Sequence, residues 1–383
     1  MADNSRRNGD SAAPTIFLSA GEPSGDIHGA GLIRALRARW PAARFLGLGG
    51  PRMAAEGMEL LAQASDLAVI GFAEVLHRLP FLLSVRRRVW AALENEQVDL
   101  VIPIDYPGFN LRLARRARQR GIPVLYYIAP QVWAWHASRA RELARYADAV
   151  AVILPFEEKF LRSAGARASF VGHPLLDVPS AAASRDEWAA RWSLDASRPI
   201  LALFPGSRTQ ELDRHLALFC ETATRIVAER PEVQPVIGVA PDLERRLYAK
   251  VPWPLVDSAS GLLLHADAAL VKSGTSTLEA ALAATPLVVA YRMHPLSYQL
   301  ARRLIRVEHI ALANLVAGKR IAPEFIQEAA TPQALAEVLL PLLDRSSEER
   351  RAMVAALEQV RGSLGSQGVA DRVAEMAGRL LKN

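Results

Sequence analysis

VKSGTSTLEAALAATPLVVAYR, residues 271–292, decides how the rest of the chain is read. An apolar strand over 268–271 runs into a turn of small residues, Ser273, Gly274, Thr275, Ser276 and Thr277. A helix over 278–284, a stop at Pro286 and a second buried strand over 287–291 complete a βαβ unit. The first N–H groups of such a helix lack partners and its dipole is positive, so a phosphate or diphosphate is its natural ligand. Glu279, one turn inside, is suited to accept hydrogen bonds from sugar hydroxyls. A capped helix with no ligand accounts for the same residues, because Ser and Thr are good N-caps.

A second stretch repeats the pattern. The apolar run 200–204 ends in Pro205-Gly206-Ser207-Arg208, and residues 210–230 then show helical periodicity through Leu212, Leu216, Phe219 and Ile226. Arg208 stands where a guanidinium could bridge two phosphate oxygens. Two such turns in one half of a parallel sheet face the same crevice at the strands' carboxyl ends, which predicts a nucleotide site.

Composition limits what the rest can be. A chain of 383 residues is long for one core, so two domains are expected. With 51% hydrophobic and 22% charged residues, it is globular rather than disordered. The net charge of +6 invites a nucleic-acid reading, but five of the 46 basic residues are Lys and 41 are Arg. That bias fits a GC-rich genome, and no nucleic-acid partner is expected. Cys220, the single cysteine, excludes an intramolecular disulfide and fits a reducing cytoplasm. Residues 1–13 lack the apolar core of a signal peptide and read as a disordered lead-in. No window supplies the roughly 18 uninterrupted apolar residues of a spanning helix, so any membrane contact is peripheral.

Earlier in the chain, strand 15–20 leads into Gly21-Glu22-Pro23-Ser24-Gly25-Asp26 and a helix over 27–39. That loop fits neither the dinucleotide nor the P-loop spacing. Glu22 and Asp26 would repel a diphosphate, so with Ser24 they suit acceptor hydroxyls better. A second strand spans 44–48. Residues 66–90 crowd Val69, Ile70, Phe72, Val75, Leu76, Leu79, Phe81, Leu82, Leu83 and Val85 around an interrupting Pro80, followed by Arg86-Arg87-Arg88. A core helix and an amphipathic helix lying in an anionic interface both satisfy this pattern. Strand 98–104 delivers Asp105 at its carboxyl end, where open α/β sheets collect catalytic groups. Pro107 and Gly108 follow it, so it is poorly placed to cap the helix 111–119. The basic run 112–120 reads as a solvated helix face. After strand 123–128, Trp133 and Trp135 could stack on a sugar or acyl chain or simply fill the core, and His136 reads as a bystander. Strand 149–154 closes this half, residues 180–199 read as linker plus short helix, and strands at 200–204, 236–239, near Leu255, 268–271 and 287–290 build the second. Helices fill the chain after Thr331.

These stretches together resemble the lipid-A-disaccharide synthase family. The resemblance rests on AGEPSGD (20–26), GPRMAAEG (50–57), IGFAEVLHRL (70–79), PIDYPGFN (103–110), APQVWAW (129–135), LPFE (154–157), FVGHPL (170–175), LFPGSR (203–208), SGTSTLE (273–279), VAYRM (289–293) and LANLVAG (312–318). Three positions depart from the family pattern: His136 where Arg is frequent, Ala129 where Ser is common, and Lys272 where a small residue is expected.

The resemblance implies a GT-B glycosyltransferase with two Rossmann-like halves facing across a cleft and neither metal nor cofactor. The expected boundaries are an acceptor and membrane-facing domain over 14–178, a UDP-sugar domain over 179–360, and a helix over 361–383 returning to the first. The implied reaction joins UDP-2,3-diacylglucosamine to the 6-hydroxyl of 2,3-diacylglucosamine 1-phosphate (lipid X), giving a β-1,6-linked disaccharide 1-phosphate and UDP. Asp105 is the expected base. Gly206, Ser207, Arg208, Ser273, Gly274, Thr275, Glu279, Arg292 and Asn314 are the expected donor contacts, and Glu22, Ser24 and Asp26 the acceptor contacts. Phe72, Leu76, Leu79, Phe81 and Leu82 are expected to meet an anionic membrane, peripheral on the cytoplasmic face of the inner membrane, and a homodimer is allowed. Alternatives on the same fold are a peptidoglycan lipid glycosyltransferase and a UDP-sugar 2-epimerase; a non-catalytic membrane scaffold leaves Asp105, Arg208 and Glu279 unexplained.

Overall fold

The computed structural model describes residues 13–64, 72–131, 133, 137–178, 183–241, 243–257, 259–295, 298–299 and 308–382. The lead-in up to residue 12, Val69, Ile70, Trp135, His136 and the side chains of Phe72, Leu76 and Leu79 lie outside the described residues. The chain divides into two compact units, Met1–Asp177 with Ser366–Asn383, and Val178–Gly365.

The first unit is a parallel sheet of β1 (Thr15–Ala20), β2 (Arg44–Gly49), β3 (Glu59–Gln63), β4 (Leu100–Ile104), β5 (Leu125–Tyr127), β6 (Ala149–Val152) and β7 (Ala168–Phe170), in the order β3-β2-β1-β4-β5-β6-β7. Its central strands are mostly apolar, as a sheet covered on both faces requires. Alternation along β1 and β4 sorts the side chains between the faces. Ile16, Leu18, Ile102 and Ile104 meet Leu32, Ile33 and Leu36 of the helix Pro23–Arg39 and Val369, Val373, Ala374 and Ala377 of the helix Val369–Leu381. Phe17 and Val101 face the other way, toward Val85, Val89, Leu93 and Leu113. The strand order reverses between β1 and β4, and Ala20 pairs with Ile104. The turns that follow these two strands therefore leave the sheet at one level, where ligands of open α/β sheets bind.

Two expectations change here. The helix Phe72–Asn95 continues through Pro80, forgoing the bond that a backbone N–H there would give to residue 76. Its residues after Pro80 are partly core: Val85 and Val89 are fully buried and Leu82 packs against the same cluster, while Phe81 is 37% exposed.

The second unit is a parallel sheet of β8 (Ile200–Phe204), β9 (Gln234–Gly238), β10 (Leu255–Val256), β11 (Ala268–Lys272), β12 (Leu287–Tyr291) and β13 (Glu324–Ile326), in the order β10-β9-β8-β11-β12-β13. Here β8 and β11 are neighbours at the reversal of strand order. Phe204 pairs with Val271, so the turns 205–208 and 273–275 leave the sheet side by side.

Candidate active site

At the end of β4 the backbone is left-handed at two successive residues with side chains, Asp105 (φ 45°) and Tyr106 (φ 48°). Each such residue costs about 1–2 kcal/mol and persists only where its surroundings over-determine it. Asp105 N–H donates to the Tyr127 carbonyl at 3.1 Å, and the Asp105 carbonyl accepts from the Tyr126 hydroxyl at 2.7 Å and the Asn110 amide at 2.8 Å. Asn110 is fully buried; it also donates to the carbonyls of Ser19 and Ile104 and accepts from the Ser19 hydroxyl at 2.6 Å, tying β1 to β4. Gly21, across from this turn, has no room for a side chain: a Cβ there would meet the Tyr106 ring at 2.3 Å.

The helix Pro107–Gln119 has Tyr106 as its N-cap, without a side-chain cap bond, and the Asp105 carboxylate accepts a backbone hydrogen bond at Tyr106. Burial, and then the negative charge of Glu22, push its carboxyl up to about 6, against a backbone hydrogen bond at Tyr106. A carboxylate titrating there is ionised at neutral pH yet basic enough to take a proton from a hydroxyl.

A second carboxyl, which sequence reading treated only as part of a motif, stands close enough for its charge to couple to Asp105. Glu157 is 1% exposed, and its oxygens accept from Leu154 N–H and from the Trp133 indole N–H, both at 3.1 Å. Burial raises it to about 7, with the Asp105 charge adding to the rise and the Trp133 and backbone bonds opposing it. Trp133, left open between stacking and core, thus holds a buried acid and packs edge-on against Phe156 at 5.1 Å. His28 and His173 were also missed. Burial lowers His28 to about 4 and, joined by the charge of His28, lowers His173 to about 3, so both are neutral.

The acceptor expectation is corrected at Asp26. Its carboxylate accepts from Gly50 N–H at 2.8 Å, Met53 N–H at 2.9 Å and Arg52 N–H at 3.1 Å, capping the short helix Pro51–Ala55. Asp26 therefore organises the 50–53 turn. Glu22 precedes the helix Pro23–Arg39, and Ser24 is exposed in its first turn.

In the second unit the two small-residue turns converge on one side chain, Glu211. Gly206 has φ 143°, and a Cβ on it would meet the Glu211 Cβ at 2.5 Å, so only glycine fits there. Glu211 Oε2 accepts from Ser207 N–H at 3.0 Å, and Oε1 accepts from Lys272 Nζ at 2.8 Å. Arg208 Nη1 lies 4.0 Å from the same carboxylate, with its side chain 53% exposed. Burial would raise Glu211, but Lys272, Ser207 and Arg208 together hold it below the usual carboxylate range.

His215, fully buried, accepts from Arg292 N–H at Nε2 (2.8 Å) and sits 2.7 Å from the Glu211 carbonyl at Nδ1, which fixes the proton on Nδ1. The Arg292 guanidinium donates to the Ala330 carbonyl. The Ser273 hydroxyl donates to the Ile310 carbonyl at 2.7 Å, leaving Gly274 and the exposed Thr275 on the turn itself. Glu279 is raised by burial and meets no hydrogen-bond donor among the described residues.

Asn314 is the second correction. It is fully buried, donates to the Ala322 carbonyl and to Glu324 at 2.8 Å each, and accepts from the Ile321 and Ala322 N–H groups. Glu324 in turn accepts from Ile310 and Ala311 N–H. Asn314 thus braces the loop on which Ser273 rests and offers no free edge. Among the described residues, no three His, Cys, Asp or Glu gather within metal-binding reach, and no helix is long and apolar enough to cross a membrane.

Residues 16–374 match the family model described as lipid-A-disaccharide synthetase. Among curated relatives, the lipid-A-disaccharide synthase of Syntrophus aciditrophicus is 44% identical over 375 residues, covering 96% of this chain and 98% of that protein. The enzyme of Myxococcus xanthus is 40% identical, at 96% and 98% coverage. Solved structures share the fold at low identity. The glycosyltransferase of kitacinnamycin has a TM-score of 0.67 at 17% identity, covering 97% of this chain and 100% of that one. The UDP-GlcNAc 2-epimerase of Neisseria meningitidis has 0.62 at 12%, covering 97% and 100%. MurG of Acinetobacter baumannii has 0.56 at 15%, covering 96% and 100%.

Proposed function

The chain belongs to the lipid-A-disaccharide synthase family of GT-B glycosyltransferases, and from that premise we propose how its two units divide the synthesis of the lipid A disaccharide. The second unit takes UDP-2,3-diacylglucosamine and the first takes 2,3-diacylglucosamine 1-phosphate, whose 6-hydroxyl attacks the donor's anomeric carbon. The observation that carries this reading is the 44% identity over 96% of the chain, far above the likeness to the epimerase and MurG structures.

Asp105 is the general base, accepting the hydroxyl proton as the new bond forms on the face opposite the leaving UDP. The raised carboxyl supports this role, and the doubly left-handed turn fixes its position. Glu22 and Ser24 meet the acceptor's polar groups, with Asp26 holding the neighbouring turn. Arg208 and the amides at Gly206, Ser207, Gly274 and Thr275 stabilise charge on the departing diphosphate. Glu279 accepts from the nucleoside or sugar hydroxyls, which fits a buried carboxylate without a donor among the described residues. Arg292, anchored through His215 and Ala330, borders the same strand ends.

Both substrates carry acyl chains, so the enzyme must meet a lipid surface. Phe81, with the exposed Arg86, Arg87 and Arg88 on the same helix, supports peripheral binding to an anionic, cytoplasm-facing membrane. Incubation with UDP-2,3-diacylglucosamine and lipid X tests the function: mass spectrometry should find the disaccharide 1-phosphate and one UDP per product. A 2-epimerised UDP-sugar, or a product made only with a peptidoglycan lipid acceptor, would refute it.

A further inference from the structure

We propose that Lys272 and Glu211 form an anion-exchange pair: Lys272 is a direct contact for the donor's diphosphate, and the Glu211 carboxylate holds that ammonium and the Ser207 N–H until phosphate oxygens take them. The inference rests on the second unit being the donor site.

Lys272 is the last residue of β11, between the two glycine turns. Its Nζ is 2.8 Å from Glu211 Oε1, 5.6 Å from the centre of the Tyr291 ring, and 3.7 Å from where a side chain on Gly274 would begin. The pair is largely enclosed, 16% exposed at Lys272 and 13% at Glu211. A pair so placed is a weak source of stability, because desolvation offsets most of the attraction. Its composition suits another purpose. Glu211 accepts from one ammonium and one backbone N–H and lies beside Arg208, the donor set that grips a phosphate oxygen in a strand–turn–helix site. An ammonium has three N–H donors and Glu211 takes one, so Lys272 can bind a diphosphate oxygen at the adjacent Gly274 turn without first breaking the pair. Once the diphosphate has left, the carboxylate reclaims both donors, so the enclosed Lys272 ammonium is never left unpaired.

Calorimetry on the full chain with UDP and with uridine separates this from a purely structural ion pair. Lys272→Met should weaken UDP about tenfold or more, the loss expected for one charge-assisted bond, and leave uridine within twofold. Lys272→Arg should restore UDP to within about threefold. Glu211→Gln removes the competing anion and should tighten UDP. Lys272→Met/Glu211→Gln leaves no unpaired buried charge, and it should bind UDP about tenfold or more weakly than Glu211→Gln while melting near wild type; it carries the test if Lys272→Met does not fold. UDP affinity unchanged in Lys272→Met, or equal in the double variant and Glu211→Gln, or UDP and uridine weakened alike, overturns the contact. Weakened UDP binding in Glu211→Gln overturns the exchange. A wild-type chain that binds no UDP is a different failure: it removes the donor site, and this inference with it.

Discussion

Replacing Asp105 with Asn should abolish turnover and strengthen the fold at once. The Asp105 carboxyl stands at about 6 in the folded chain against an ordinary 3.8, which for an acid means that folding disfavours its ionised form. The folded state therefore binds more protons than the unfolded between those values. Stability falls as pH rises through that window, and the full penalty remains above it. The rise from 3.8 to about 6 corresponds to about 3 kcal/mol, and solvent screening of the partly exposed carboxyl halves this, so the uncharged Asn should melt a few degrees higher at pH 8. Loss of a general base should lower kcat by about two to four orders of magnitude. The same value shapes the pH profile: a group titrating near 6 is about one-tenth ionised at pH 5 and nearly all ionised at pH 8, so wild-type kcat/KM should drop about tenfold over that span. An ordinary aspartate would lose less than about a tenth of its ionised form at pH 5. Initial rates of UDP release from pH 5 to 9, with thermal melts of both proteins, check each part. An Asn variant within threefold of wild type, or one whose residual activity keeps the acid limb, would refute the assignment. Glu157→Gln should keep a limb near 6, and losing it there would move the base role to Glu157.

Arg208→Ala should weaken UDP by about tenfold or more in calorimetry, as loss of a charge-assisted phosphate contact does; unchanged affinity would remove Arg208 from the donor site. Phe81→Ser should leave the chain folded and lower its binding to vesicles rich in anionic lipid, binding that should also weaken with salt, whereas Val85→Ser, one turn on and buried, should cost about 2–4 kcal/mol. If Phe81→Ser loses its thermal transition, that face of the helix is core and not a membrane contact. Asn314→Ala strands the Ile321 and Ala322 amides and should cost about 2–4 kcal/mol while the folded protein binds UDP as before. Altered UDP affinity in that variant would return Asn314 to the ligand.

The sequence could be read where one chemistry dominates. Runs such as ILALF are apolar at every position because both faces of a central parallel strand are covered, TIFLSA departs from this only at Thr15 and Ser19, and these strands fall at Thr15–Ala20 and Ile200–Phe204 as expected. The strands β3 and β13, unread in sequence, are edge strands, ELLAQ and EFI, with only partly buried side chains and therefore no continuous apolar run. Asp105 drew notice as a carboxylate at the end of β4, but Pro107 and Gly108 do not separate it from the next helix as expected: a proline suits the first turn of a helix, and this one begins at Pro107. Asn314 and Asp26 misled because a polar residue in a motif looks the same whether its hydrogen bonds go to a ligand or to backbone N–H groups 7 to 27 residues away. Glu211 and Lys272, 61 positions apart, meet only because β8 and β11 are neighbours in the sheet.

The return of the helix Val369–Leu381 to the first unit sets an order of assembly on the ribosome. Val369, Val373, Ala374 and Ala377 complete the apolar layer over β4, β5 and β6, yet they are translated after the whole of the second unit. The second unit, continuous from Val178 to Gly365, can close its core while the nascent first unit still shows Ile102, Ile104 and Leu125 incompletely covered. Chains stalled or clipped shortly before residue 369 would thus carry one finished unit tethered to one with a bare apolar face, the form that chaperones and proteases recognise, so quality control would act on the protein's first half by way of its final turns.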